Sequence, residues 1–174
     1  TQFLSTSTQT ATPRGIAFNP TGTKMFVVDY SAASVDEYTL SSGFNVSTAS
    51  YSQTFDVSAK VTSPVGLAFS TDGTEMFVTM ENTTYEVTRY SLSTAFDIST
   101  ASYTQRLNVQ SATPVDPTED KPSAIVFNST GTQFIILGAT NDTVYQYAVS
   151  LGSTSTVLAG KALSSTSINL DYTT

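Results

Sequence analysis

Fourteen carboxylates, seven basic side chains and 56 aliphatic hydroxyls (31 Thr and 25 Ser) make up most of the chemistry open to this 174-residue chain. Histidine, cysteine and tryptophan are absent. Without imidazole or thiol, the sequence offers no zinc finger, haem ligation, iron–sulfur cluster, thiol nucleophile or His-based triad. A Ser–Lys pair is the remaining nucleophilic option, and none of Lys24, Lys60, Lys121 and Lys161 has a motif around it. Two carboxylates meeting across a cleft could act on a glycosidic bond. The candidates are Asp36, Glu37, Glu75, Glu81, Glu86 and the 116–120 loop. No spacing singles out a pair, and most read as solvated strand faces or loop tips. The expectation is a protein that is not an enzyme, with no catalytic or cofactor-binding residue to assign.

Other side chains could hold an ion or a glycan. The insertion VDPTEDK puts Asp116, Glu119 and Asp120 on one exposed loop. Such oxygen ligands can bind Ca²⁺, but the D-x-D-x-D-G spacing is missing, so the loop reads as solvated and no metal is assigned. Asn-x-Ser/Thr triplets occur at Asn45, Asn82, Asn128 and Asn141, all at predicted turns or loops. They are glycosylation candidates, and the plain alternative is that Asn and Thr form turns. The formal charge of −7 and pI near 4.2, with no Lys/Arg cluster, argue against nucleic acid and anionic membranes as partners. No apolar run approaches the ~20 residues of a membrane helix, and no signal peptide is present. A chain beginning at Thr1 reads as a processed or excised piece.

The elements that carry these residues are repeated. PRGIAFNPTGTKMFVV starts at Pro13, PVGLAFSTDGTEMFVT at Pro64 and PSAIVFNSTGTQFIIL at Pro122. Between them, FNVSTASYSQTFDVS from Phe44 is matched by FDISTASYTQRLNVQ from Phe96. Each repeat reads as four short strands, illustrated by 15–19, 24–30, 35–40 and 51–57, with a tight turn whose Gly supplies a positive φ. Four antiparallel strands in about 50 residues, repeated, is the unit of a β-propeller blade. The aromatic and aliphatic residues at matching positions, among them Phe26, Tyr38, Phe69, Phe77, Tyr90, Ile135 and Tyr147, are expected to pack between blades.

The string G-[IL]-A-F-[NS]-x-[TD]-G-T-[KE]-M-F-V resembles the "S-P-D-G-T" blades of YVTN-type propellers of bacteria, archaea and phages, over about residues 1–150. That resemblance implies the blade fold and leaves the chemistry open. The third copy departs furthest, with Ser123-Ala124 in place of Arg14-Gly15 and Val65-Gly66. The fold class is therefore all-β and propeller-like: three four-stranded antiparallel repeats, an offset N-terminal strand and a short C-terminal β segment. Residues 1–12 read as the fourth strand of a preceding blade, followed by blades at 13–62, 63–121 and 122–150. Residues 151–174 read as a Ser/Thr linker and a strand resembling the start of a fibronectin type III domain, with Tyr172 where that family keeps Trp.

Three blades are too few to close a propeller, which takes 4–8. Two chains making six blades, a fragment of a longer propeller, or an open edge-to-edge assembly all fit the count. A non-enzymatic extracellular structural protein is the leading expectation: a glycoprotein subunit of a surface filament or fibril, assembling with itself through edge strands at 1–6 and 165–172. The alternative is a phage tail fibre or cell-surface adhesin that binds glycans through Tyr30, Tyr85 and Asn141. Either places the chain outside the cell or on a virion.

Overall fold

The computed structural model describes residues 2–81, 86–109, 121–140 and 143–148. Among the described residues, eleven strands form three antiparallel sheets. Blade 1 contains β1 (Pro13–Phe18), β2 (Lys24–Asp29), β3 (Ser34–Leu40) and β4 (Ala49–Asp56). Blade 2 contains β5 (Pro64–Phe69), β6 (Glu75–Met80), β7 (Glu86–Leu92) and β8 (Ala101–Asn108). Blade 3 contains β9 (Pro122–Phe127), β10 (Gln133–Gly138) and β11 (Thr143–Ala148). Each blade is an up-and-down meander in chain order. The innermost strands β1, β5 and β9 lie side by side.

The turn chemistry read from the sequence sets the first hairpin of every blade. Asn19 Oδ1, Ser70 Oγ and Asn128 Oδ1 accept from the backbone N–H of Lys24, Glu75 and Gln133 at 2.9, 3.0 and 3.1 Å. Gly22, Gly73 and Gly131 follow at φ +67°, +73° and +68°, the left-handed region where a Cβ is costly. Strands β2 and β6 are apolar on both faces, MFVV and MFVT, because each sits between two layers. Alternate residues of β2 and β6 therefore enter different clusters.

One cluster lies between blades 1 and 2 and contains Phe26, Val28, Val35, Leu67, Met76 and Val78. The next lies between blades 2 and 3 and contains Ala68, Phe77, Val87, Ile125, Phe134 and Ile136. The blades meet so closely at their inner strands that a Cβ on Gly66 would lie 3.1 Å from the Ala124 Cα and 2.5 Å from the Thr79 hydroxyl.

Residues 2–12 differ from the sequence expectation, because they contain no strand. They run along blade 1 instead. Leu4 packs against Met25, Val27, Tyr38 and Leu40. Thr10 is buried and donates to Asp36 Oδ2 at 2.7 Å, and the Ala11 N–H donates to Asp29 Oδ2 at 2.7 Å. A β-strand is stabilised by its neighbour, and among the described residues no strand pairs with this segment. The expected strand at 165–172, with the rest of 151–174, lies outside the described residues.

Candidate functional site

Two features of the molecule could do work: a polar cleft near the ends of the inner strands and the two end faces of the blade row. The cleft, of about 250 Å³, is lined by Arg14, Val65, Glu81, Lys121, Pro122, Ser123 and Ala139. The Arg14 guanidinium lies over the Tyr30 ring, 5.0 Å from its centroid. Glu81 and Lys121 pair across blades 2 and 3 at 3.8 Å. Both are substantially exposed, so water screens the pair and it adds little stability. A cation, an ion pair and the Ser123 hydroxyl in one cleft suit a small polyhydroxylated or acidic ligand.

The end faces are apolar. Among the described residues, eight large hydrophobics are exposed, and six of them lie at the ends of the blade row: Phe3, Ile16 and Phe44 on blade 1, and Val126, Leu137 and Val144 on blade 3. The other two, Tyr51 and Tyr103, pack edge-on against Tyr38 and Tyr90 in the outer strands. Equivalent repeat positions show what exposes Ile16 and Val144. Ile16 is 59% exposed, while its counterparts Leu67 and Ile125 are 5% and 4% exposed under the preceding blade. Val144 is 55% exposed, while Val35 and Val87 are fully buried under the following blade. On blade 1 a groove of about 380 Å³ runs between the N-terminal segment and the sheet, lined chiefly by Phe3, Leu4, Ile16, Met25, Val27 and Val46.

The carboxylates read as solvated are in part buried. Asp36 and Glu37 are both 2% exposed. Glu37 Oε1 pairs with Lys24 Nζ at 2.8 Å, and its Oε2 accepts from Gln53 at 2.8 Å and from the Ile98 N–H of blade 2 at 3.4 Å. It joins two blades. Lys24 also donates to the Phe96 carbonyl at 2.7 Å. Glu75 pairs with Arg89, and Glu86 with Arg106 at 3.3 Å, so neither forms a carboxylate dyad. Lys60 lies over the Tyr103 ring.

Asp29, at the end of β2 and marked by no motif, is buried. Burial alone would raise its pKa. Hydrogen bonds from the Ala32 N–H, the Thr12 hydroxyl and the Ala11 and Ser31 N–H groups outweigh that and hold it below the usual carboxylate range.

Of the glycosylation candidates, Asn45 precedes a short 3-10 turn (Val46–Thr48) and accepts through Oδ1 from Ser47. Asn128 uses both ends of its amide, donating through Nδ2 to Thr132 and accepting from Gln133. Asn82, Asn141, Tyr85, Lys161 and the loop with Asp116, Glu119 and Asp120 lie outside the described residues. Among the described residues, no three acidic side chains converge as metal ligands. No described helix is long and apolar enough to cross a membrane.

No protein-family model matches the chain, and no curated protein matches it in sequence. Solved structures do. A Bacteroides fragilis protein carrying the name 6-phosphogluconolactonase matches with a TM-score of 0.61 at 12% identity, over 91% of this chain and 39% of its own. The periplasmic gluconolactonase of Pseudomonas aeruginosa matches with a TM-score of 0.58 at 17% identity, over 91% and 41%. A β-propeller domain from Myceliophteria thermophila matches with a TM-score of 0.53 at 12% identity, over 78% and 37%.

The fold is of β-propeller type. This chain spans about two fifths of each of these structures. The likeness is one of fold, and extends neither to a YVTN-type repeat nor to a fibronectin type III start. It does correct one expectation. The absence of His and Cys was read as the mark of a protein that is not an enzyme, yet several of the most similar structures are named as lactonases. Neither the lysines nor the carboxylates showed a telling spacing along the chain, and a propeller can assemble a site from side chains of several blades that sequence spacing does not bring together.

Proposed function

We propose that the chain is a repeat-built structural subunit of an extracellular assembly, a surface filament, fibril or appendage made from several copies. The observation that supports it is the clustering of exposed large hydrophobics at the two ends of the blade row. Contiguous exposed apolar surface marks an interaction site. A cysteine-free surface rich in Ser and Thr and poor in charge supports a place outside the cell. Asn45 is the favoured glycan acceptor of the two described, because its Oδ1 alone is engaged while Asn128 commits its Nδ2 to the turn. Sedimentation and electron microscopy of the purified protein test the reading. Assemblies of the 18.5 kDa chain are expected, and particles of that mass alone at every concentration overturn it.

A second reading is favoured by the polar cleft and by the names of the lactonase neighbours: a site for a sugar acid or its lactone. Arg14 and Lys121 would hold the carboxylate, and Ser123 and Glu81 the hydroxyls. Titration calorimetry with gluconate and an assay of gluconolactone hydrolysis, on wild type and Arg14→Ala, test it. Heat and turnover that are equal in the two proteins defeat it.

A further inference from the structure

We propose that a second copy of this chain covers the open face of blade 3 with its own blade 1, head to tail. The proposal rests on the assembly reading above and names the contact that carries it.

The chain already makes this contact twice within itself. Ala17, Phe26, Val28 and Val35 of blade 1 pack on Leu67, Met76 and Val78 of blade 2. Ala68, Phe77 and Val87 of blade 2 then pack on Ile125, Phe134 and Ile136 of blade 3. Blade 3 carries the next set of covering residues at the same repeat positions: Val126, Ile135, Leu137 and Val144. They share one face, because Val126 opposes Ile135 and Leu137 opposes Val144 in the sheet. Blade 1 carries the matching receiving set, Ile16, Met25 and Val27, which line the apolar groove; Ile16 is open, while Met25 and Val27 are buried in the cluster on which Leu4 packs. One end of the molecule thus presents the covering set, the other the groove that its repeat partners fill.

The N-terminal segment fits the same scheme. Phe55 and Leu107, at the outer edges of blades 1 and 2, pack into the clusters over the next blade. Leu4 is their repeat counterpart and already packs on blade 1. The turn that follows is also shared. Gln9 and Thr10 N–H donate to the Thr6 carbonyl at 2.9 and 2.8 Å, as Lys60 and Val61 N–H donate to the Val57 carbonyl at 2.9 and 2.8 Å. Residues 2–12 therefore hold the place of the end of a preceding blade. A second copy supplies that blade, bringing its Val144 beside Leu4 as Val35 lies opposite Phe55 and Val87 opposite Leu107.

Charge does not oppose the contact. Arg14 is the one charged residue lining the groove, and it is held over Tyr30. Ala124 shapes it. A Cβ at Gly15 would lie 2.7 Å from the Val65 carbonyl, and Ala124 carries a Cβ at the corresponding place. The new interface is therefore wider at the inner strands than the two within the chain. Head-to-tail contacts either close or propagate. Two copies closing would give six blades, within the propeller range of 4–8.

The cysteine-free chain gives a clean test. Ile16→Cys and Val126→Cys chains are mixed and treated with a short bis-maleimide, beside a control mixture of Tyr51→Cys and Tyr103→Cys chains. The mixed 16–126 product is expected to exceed the 51–103 product at least tenfold, and Leu137→Asp in the Val126→Cys chain is expected to abolish it with the circular dichroism unchanged. Sedimentation separates the outcomes. A monomer at all concentrations overturns both this proposal and the assembly reading. An oligomer in which 16–126 linking does not exceed the control overturns the head-to-tail contact alone.

Discussion

At the scale of single residues, buried acids tie blade 1 to what lies beside it: Glu37 reaches blade 2, and Asp29 reaches the N-terminal segment. Asp29 accepts four hydrogen bonds, and replacing it with Ala leaves several donors without an acceptor. Buried unmatched groups cost about 1–3 kcal/mol each, so Asp29→Ala is expected to lower unfolding free energy by about 3 kcal/mol in urea titration at pH 7. Its folded pKa is depressed, so its contribution is full above the unfolded value of about 3.9 and is lost as pH falls through the lower folded value. Stability measured from pH 5 to pH 2 should fall less steeply in Asp29→Asn than in wild type. An equal slope would contradict this assignment. The buried state of Asp29, Asp36 and Glu37 was not legible in the sequence. An acidic residue in a strand looks solvated until the sheet that covers it is known.

At the scale of elements, the hairpin turns and the inner-strand contacts set the blade. Gly73 has φ +73°, and a Cβ there would enter the Phe96 ring, which itself packs on Phe69 between blades 1 and 2. Gly73→Ala is expected to cost about 1–3 kcal/mol from backbone strain. Gly66→Ala is expected to cost about 1–3 kcal/mol by overpacking against blade 3. Thermal unfolding monitored by circular dichroism measures both. The strand pattern was readable because period-2 alternation and N-x-T-G-T turns are local. Residues 2–12 have the sequence of a strand and are unpaired in this chain for the opposite reason: only a neighbouring blade can make them one.

At the scale of the whole molecule, burial depends on which side of a sheet still has a neighbour. Ile136 and Leu137 are adjacent in β10, yet Ile136 is buried against blade 2 and Leu137 lies on the open face. Ile136→Ala is expected to cost about 2–5 kcal/mol by cavity formation. Leu137→Ala should cost under 1 kcal/mol in dilute protein and weaken self-association instead. Urea titration and sedimentation of the pair check both halves of that statement. A Leu137→Ala variant as unstable as Ile136→Ala in dilute solution would show that the face is covered within one chain.

The sequence by itself determined the blade. Turn residues, alternation and a repeated register are local rules, and they placed the strands within a residue or two. It also determined that no His- or Cys-based chemistry is available. Tertiary structure alone decided which copies of a repeated side chain are buried. Val35, Val87 and Val144 are one residue type at one repeat position, and nothing local distinguishes them. Two lie under the next blade, and the third meets solvent because stacking, unlike turn formation, requires a partner from beyond the repeat.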